Sequence, residues 1–183
     1  TPLFGQGQIS GDLMLNSNFF MRDSSRLAYG NPQYSHQLYG ADGWLALNYS
    51  NNDFSAGVRF DMHQNSNLHA PLQSYSDQGI GRWFVSQKID KLQITGGYFY
   101  DQFANGIVFR AFETRTLGID NAVFGLQAKY QLLENLELKG FTGRQRNRFE
   151  LFEPIMRGAN LNGNFKIGKV YLNPGLSTVS RTL

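Results

Sequence analysis

The chain has 183 residues, 17% of them charged and 14% aromatic, with 20 glycines, 15 phenylalanines, no cysteine and a formal charge of +3. Soluble domains carry roughly 25% charge, so the usual charged surface is not available to this sequence. The basic residues are scattered rather than gathered into a nucleic-acid footprint, and disulfides and thiolate metal sites are excluded. No run approaches the roughly 18 to 20 apolar residues of a spanning helix, so a membrane crossing by this chain requires a closed barrel of strands. No composition shift marks a linker, and residues 1–183 read as a single domain. A start at Thr1 is what a mature chain, processed after export, is expected to show.

The first strand is expected from Gly7 to Phe20, where Ile9, Leu13, Leu15 and Phe19 share one parity and Gln8, Ser10, Asp12, Asn16 and Asn18 the other. A period of two is that of a strand. After the polar run Met21 to His36, the pattern returns from Gln37 to Ser50, with Tyr39, Ala41, Leu45, Leu47 and Tyr49 on the apolar side. The tight turn Ser50-Asn51-Asn52-Asp53 predicts a hairpin into Phe54, Ala56, Val58, Phe60 and Met62, which alternate with Ser55, Gly57, Arg59, Asp61 and His63.

A polar connection from Gln64 to Asp77 leads to Trp83, Val85 and Ile89, and Asp90-Lys91 turns the chain into Leu92, Ile94, Tyr98 and Tyr100. The longest connection, Gln102 to Asn121, precedes Ala122, Phe124, Leu126, Ala128 and Tyr130, and Glu134-Asn135 turns into Leu136, Leu138, Gly140 and Thr142. An arginine-rich loop is expected from Arg144 to Met156. Ala159, Leu161, Phe165 and Ile167, a Gly168-Lys169 turn, and Val170, Leu172 and Leu176 form the last pair, although Pro174 sits poorly inside a strand.

Nine strands result, with long connections at one end and short turns at the other, as in transmembrane barrels. The two faces partition charge. The apolar parity carries none, while the opposite parity carries Asp12, Asp42, Arg59, Asp61, Arg82, Lys88, Asp101, Lys129, Glu137, Lys139 and Lys166, the residues expected to face a lumen. A soluble sandwich shows the same alternation with the apolar face inward. The strand lengths and the aromatics Phe19, Tyr39, Tyr49, Phe54, Trp83, Tyr100, Tyr130 and Phe165, placed as interfacial girdles, favour the membrane alternative. The expected fold is therefore all-β, a transmembrane antiparallel up-and-down β-barrel of about nine strands. Bacterial barrels close with an even count, so these nine read as the N-terminal part of a larger barrel.

Little in the chain points to chemistry. His36, His63 and His69 have no metal-ligand spacing with carboxylates and read as solvated, and no G-x-S-x-G singles out a nucleophile. Neither a metal nor a cofactor is expected, and no catalytic residue is assigned. Gly5-Gln6-Gly7 and Gly79-Ile80-Gly81 lack the strand-to-helix setting of a phosphate cradle and suit close packing or a bulge. Arg144, Arg146, Arg148 and Arg157 suit lipopolysaccharide phosphates or an acidic partner surface, or else a solvated loop with Glu150 and Glu153 as local partners. Arg110, Glu113, Arg115 and Asp120 suit folding the long Phe103 to Asn121 connection over a lumen or onto a partner.

The segment YDQFANGIVFRAFETRTLGIDNAVFG from Tyr100 to Gly125, the later LELKGFTGRQRNRFE and the opening GQISGDLMLNSNFF resemble the DUF6029 type of Bacteroidota outer-membrane proteins. The motifs are FANG-x-x-x-R, F-E-x-R-x-LGIDNA and G-x-x-x-R from Gly140 to Arg144, and the likeness covers most of the chain. It implies an outer-membrane setting, a barrel larger than nine strands and no catalytic residue. The function expected is a non-enzymatic structural or accessory subunit of a secretion, uptake or assembly complex, in contact with lipopolysaccharide-containing lipid and partner proteins. The alternative is a porin or transporter for small solutes.

Overall fold

The computed structural model describes residues 7–21, 25, 36–68 and 74–183. Nine long strands form one antiparallel sheet: β1 (Gln8–Phe19), β2 (Tyr39–Ser50), β3 (Phe54–Ser66), β4 (Tyr75–Ile89), β5 (Leu92–Phe99), β10 (Val123–Leu133), β11 (Leu136–Asn147), β12 (Glu150–Gly163) and β15 (Gly175–Thr182). Four two-residue strands, β6 (Gln102–Phe103), β7 (Phe109–Arg110), β8 (Glu113–Thr114) and β9 (Ile119–Asp120), fold the longest connection into two small hairpins. The strands β13 (Phe165–Ile167) and β14 (Val170–Leu172) pair only with each other.

The long strands pair in chain order, each antiparallel to the next, as expected of an up-and-down fold. Among the described residues β1 and β15 do not pair, so the sheet is open along these two edges. Hairpin chemistry is local. Asn51 Oδ1 accepts the backbone N–H groups of Asp53 and Phe54, closing the 51–53 turn as an Asx turn.

Three expectations change. The Arg144 to Met156 segment is no loop, because β11 and β12 run on to a two-residue turn at Arg148 and Phe149, where Arg148 takes a φ of 59°. Three residues of β12, Phe152 to Pro154, bulge there against the single Gln145 of β11, with Pro154 placed where no ladder donor is required, and Arg144 Nε donates to the carbonyls of Phe152 and Glu153 at 2.9 and 3.1 Å. The Gln64 to Asp77 connection is shorter, since β3 reaches Ser66 and β4 begins at Tyr75. The ninth strand begins after Pro174 instead of containing it, and Gly168, at a φ of 62°, turns the separate β13–β14 hairpin. Of the Met21 to His36 run, residues 22–24 and 26–35 lie outside the described residues, as do Gly5 and His69.

The sheet curls tightly. Flat, it holds β3 and β11 about 19 Å apart at ~4.8 Å per strand, farther than an arginine and an aspartate reach together. Yet Arg146 of β11 is 3.4 Å from Asp61 of β3. The polar parity lines the concave face and the apolar parity the convex one, and burial follows charge in the reverse of the soluble pattern. Arg59 is 6% and Arg146 5% exposed, whereas Leu47 is 46% and Leu126 58%.

Candidate functional site

The concave face is filled by its own longest connection. Residues 101–122 fold back into it, and Phe103, fully buried, Phe109 and Ala111 meet Phe99, Val123 and Phe141 from the wall. The rings of Phe103, Phe109 and Phe141 stand 4.6 to 5.5 Å apart. Gly158 makes room for them, since a Cβ there would meet Phe141 and stand 2.9 Å from Phe103. This is the main apolar core, and it lies between loop and wall rather than between sheets.

Charge holds the other half of the loop. Arg59 grips Asp61 through two contacts, Nε–Oδ1 at 2.7 Å and Nη2–Oδ2 at 3.0 Å, and reaches Glu113 at 2.6 Å and Asp120 at 3.2 Å on the loop. Arg146 reaches Asp120 at 2.7 Å from the opposite wall. The other oxygen of Asp120 accepts from the Tyr100 hydroxyl at 2.9 Å and the Ala122 backbone N–H at 3.2 Å. Such a fully bonded carboxylate offsets the desolvation of the buried guanidiniums around it. Burial, and then Asp120 and Glu113, push the pKa of the Tyr100 phenol up.

Backbone geometry admits this network. At the bulge where Arg59 faces Arg82 and Phe60 faces Ile80, Gly81 is the extra residue, and a Cβ on it would run into the Asp61 carboxylate. The Gly79-Ile80-Gly81 segment thus serves as the bulge expected of it.

A second cluster pins the start of the loop. Asp101 accepts from Gln127 at 2.7 Å and from Lys139 at 3.3 Å, with Lys129 at 3.7 Å. Near the other end of the sheet His63 Nδ1 lies 2.7 Å from Asp42 Oδ1, a cross-strand pair beside the rings of Tyr75 and Phe149. His63 is thus a strand residue with a carboxylate partner, not a solvated loop histidine, while His36 is exposed. Among the described residues no three His, Cys, Asp or Glu side chains gather as a metal site.

Of the charges expected to face a lumen, Asp42, Arg59, Asp61, Arg82, Asp101, Lys129, Glu137 and Lys139 lie on the concave side in these clusters or beside them. Asp12 and Lys88 have the same parity but are solvent-exposed, Asp12 accepting from Trp44 Nε1 at 3.3 Å. Lys166 departs from the expectation, lying on the β13–β14 hairpin over the ring of Tyr171. Phe165 leaves the sheet with it.

Among the aromatics expected as girdles, Phe19 and Tyr39 lie at one end of the convex rows, and Tyr49, Phe54 and Tyr130 toward the other. Trp83 is mid-strand opposite Val58. Tyr100 turns inward, because β5 ends at Phe99 and the hydroxyl finds Asp120.

Of the loop residues, Glu113, Arg115 and Asp120 face the wall, with Arg115 stacked 4.5 Å over Trp44 and 3.3 Å from Glu113. Arg110 stacks on its neighbour Phe112 at the surface. Arg146 is buried in the network, and Arg148 stacks over Tyr75. Trp44 and Gln127 also contribute to the concave face; neither carries a charge to single it out in the sequence, though both sit on the polar parity of their strands.

A search of curated proteins finds no match to the chain. A family described as being of unknown function, DUF6029, matches residues 4–183, and the chain belongs to that family.

Proposed function

We propose that the chain forms the wall of a β-barrel in the outer membrane of Bacteroidota, with the apolar parity against lipid and the polar parity around a lumen occluded by residues 101–122. Its role is that of a non-enzymatic structural or accessory subunit of an outer-membrane complex for secretion, uptake or assembly. The inverted burial carries this reading: Arg59, Asp61 and Arg146 are buried while Leu47, Val58, Val85 and Leu126 are exposed. In water, exposed apolar area costs about 25 cal/mol per Å². Lipid removes that cost, and the strands, mostly 11 to 15 residues long, match the ~9 to 11 that cross a bilayer obliquely.

The occluding segment supports the accessory role. It is fixed by an apolar core and by ion pairs to two walls, an arrangement suited to a plug, and the protein's contacts then fall to partner proteins and lipopolysaccharide-containing lipid. The longer connections face outward in this reading, by analogy with other barrels.

A second reading, a porin for small solutes, rests on one region. Toward the 90–91 turn, Lys88, Gln93, Lys129, Gln131 and Glu137 line a polar recess of about 350 Å³. Conductance of the full-length protein in planar bilayers separates the two: an occluded subunit gives no steady current, and steady open-channel current overturns that reading. Quenching of Trp83 emission by bromine-labelled lipid tests the membrane placement, and an unquenched Trp83 overturns it. Recovery of the protein alone in a native pull-down counts against the accessory role.

A further inference from the structure

We propose that the concave face holds a binding site for a small oxyanion of the phosphate or carboxylate class, centred on the guanidinium of Arg82. Arg82 stands directly opposite Arg59 in the β3–β4 ladder, a like-charge pair that is unfavourable unless each charge is compensated. Arg59 is compensated by Asp61, Glu113 and Asp120. Among the described residues no carboxylate lies within ion-pair distance of Arg82, and its buried Nε has no hydrogen-bond partner.

The guanidinium carbon lies over two rings, 5.0 Å from the centroid of Phe84 and 4.9 Å from that of Tyr100. These cation–π contacts hold the guanidinium in place while its N–H groups remain available to an oxyanion, which Arg can bind in a bidentate manner.

The space at that edge suits an anion. Arg82, Arg59, Arg115, Asn48 and Phe84 line a recess of about 90 Å³ whose lining contains no acidic residue. Gly57 keeps it open, since Asn48 Oδ1 and Phe84 already come within 2.5 Å of where a Cβ would stand. Arg115 stacks on Trp44 and spends its Nε on Glu113. Among the described residues Arg59, Arg115 and Arg146 pair with Asp61, Glu113 and Asp120, while Arg82 is left without a carboxylate. A bound oxyanion supplies the missing negative charge. The site depends on the geometry of the concave face and not on the membrane setting.

Inorganic phosphate is the probe, titrated into the purified full chain at constant ionic strength against chloride, with Trp emission and the thermal midpoint as readouts. The expected result is a saturable emission change and a raised midpoint with phosphate, at least about tenfold weaker in Arg82→Gln, as loss of one charge-assisted pair predicts. Asn48→Asp supplies a carboxylate inside the recess without touching Arg82, and it is expected to weaken phosphate binding similarly while leaving the fold intact. A featureless titration of the unaltered chain overturns the proposal, as does undiminished phosphate binding in either variant. Bilayer conductance and Trp83 quenching fail or succeed separately from this result.

Discussion

Arg146 of β11 lies 3.4 Å from Asp61 of β3, although β4, β5 and β10 stand between those strands in the sheet. The contact is possible only because the sheet curls, and it is reinforced by Asp120, which binds Arg146 at 2.7 Å and Arg59 at 3.2 Å. Curvature and loop are therefore coupled: the inward connection provides the anion that lets two opposed cationic walls approach.

Asp120→Asn is expected to loosen that coupling. Removing one partner from a buried ion pair costs about 3 to 5 kcal/mol, because the remaining charge is left without compensation. The readout is a lower denaturant midpoint together with new trypsin cleavage at Arg115, which the folded loop protects. Arg110→Gln, at an exposed arginine stacked on Phe112, is expected to stay within about 0.5 kcal/mol. Equal effects of the two substitutions refute a role for the network in holding the loop.

The strands are legible in the sequence because their alternation is strict. Leu45, Leu47, Val58 and Val85 are separated from Asp42, Arg59, Asp61 and Ser86 by parity alone, and the ladders preserve that separation. Bulges are the limit. An extra residue such as Gly81 shifts the parity of every later position in its strand, and the β11–β12 irregularity makes an extended segment read as a polar loop. Arg146 thus reads as solvated, since no local signal says that an arginine near a strand end points inward. Glu113 and Asp120 carry a usable signal as lone acids in a long loop between walls rich in arginine. Tyr100 does not, because its parity belongs to a strand that has already ended.

Phe103→Ala is expected to destabilise the protein by about 3 to 5 kcal/mol, the usual cost of deleting a buried ring, at a residue with no exposed surface. Gly158→Ala acts on the same contact from the wall and is expected to cost about 1 to 3 kcal/mol by overpacking. The two substitutions touch, so they are not additive. In the double variant the added methyl occupies part of the vacated space, and chemical denaturation is expected to show a smaller loss than the two single values combined.

Leu126→Arg tests the convex face. Against lipid near the bilayer midplane an arginine costs about 2 to 4 kcal/mol, so the variant is expected to fold into vesicles with a markedly lower yield. A convex face bathed in water predicts no loss. Gln131→Arg, on the opposite parity of the same strand, is the control expected to fold normally, and equal yields of the two variants speak against lipid contact at Leu126.

Tyr100→Phe isolates the phenol that donates to Asp120 at 2.9 Å. Loss of one hydrogen bond to a charged acceptor is expected to cost about 1.5 to 3 kcal/mol near neutral pH. The pH dependence has a fixed sign. Burial holds the native phenol above its ordinary pKa, so below about pH 10 folded and unfolded chains are both protonated and the contribution is complete. Above that value the unfolded chain ionises first and releases its proton, and stability falls as pH rises toward the native pKa. Denaturation midpoints measured from pH 8 upward should therefore converge for the native chain and Tyr100→Phe, about 8 being chosen as a start two units below the free phenol. A gap that stays constant through the alkaline range removes Tyr100 from the group of buried, charge-bound residues that hold the loop.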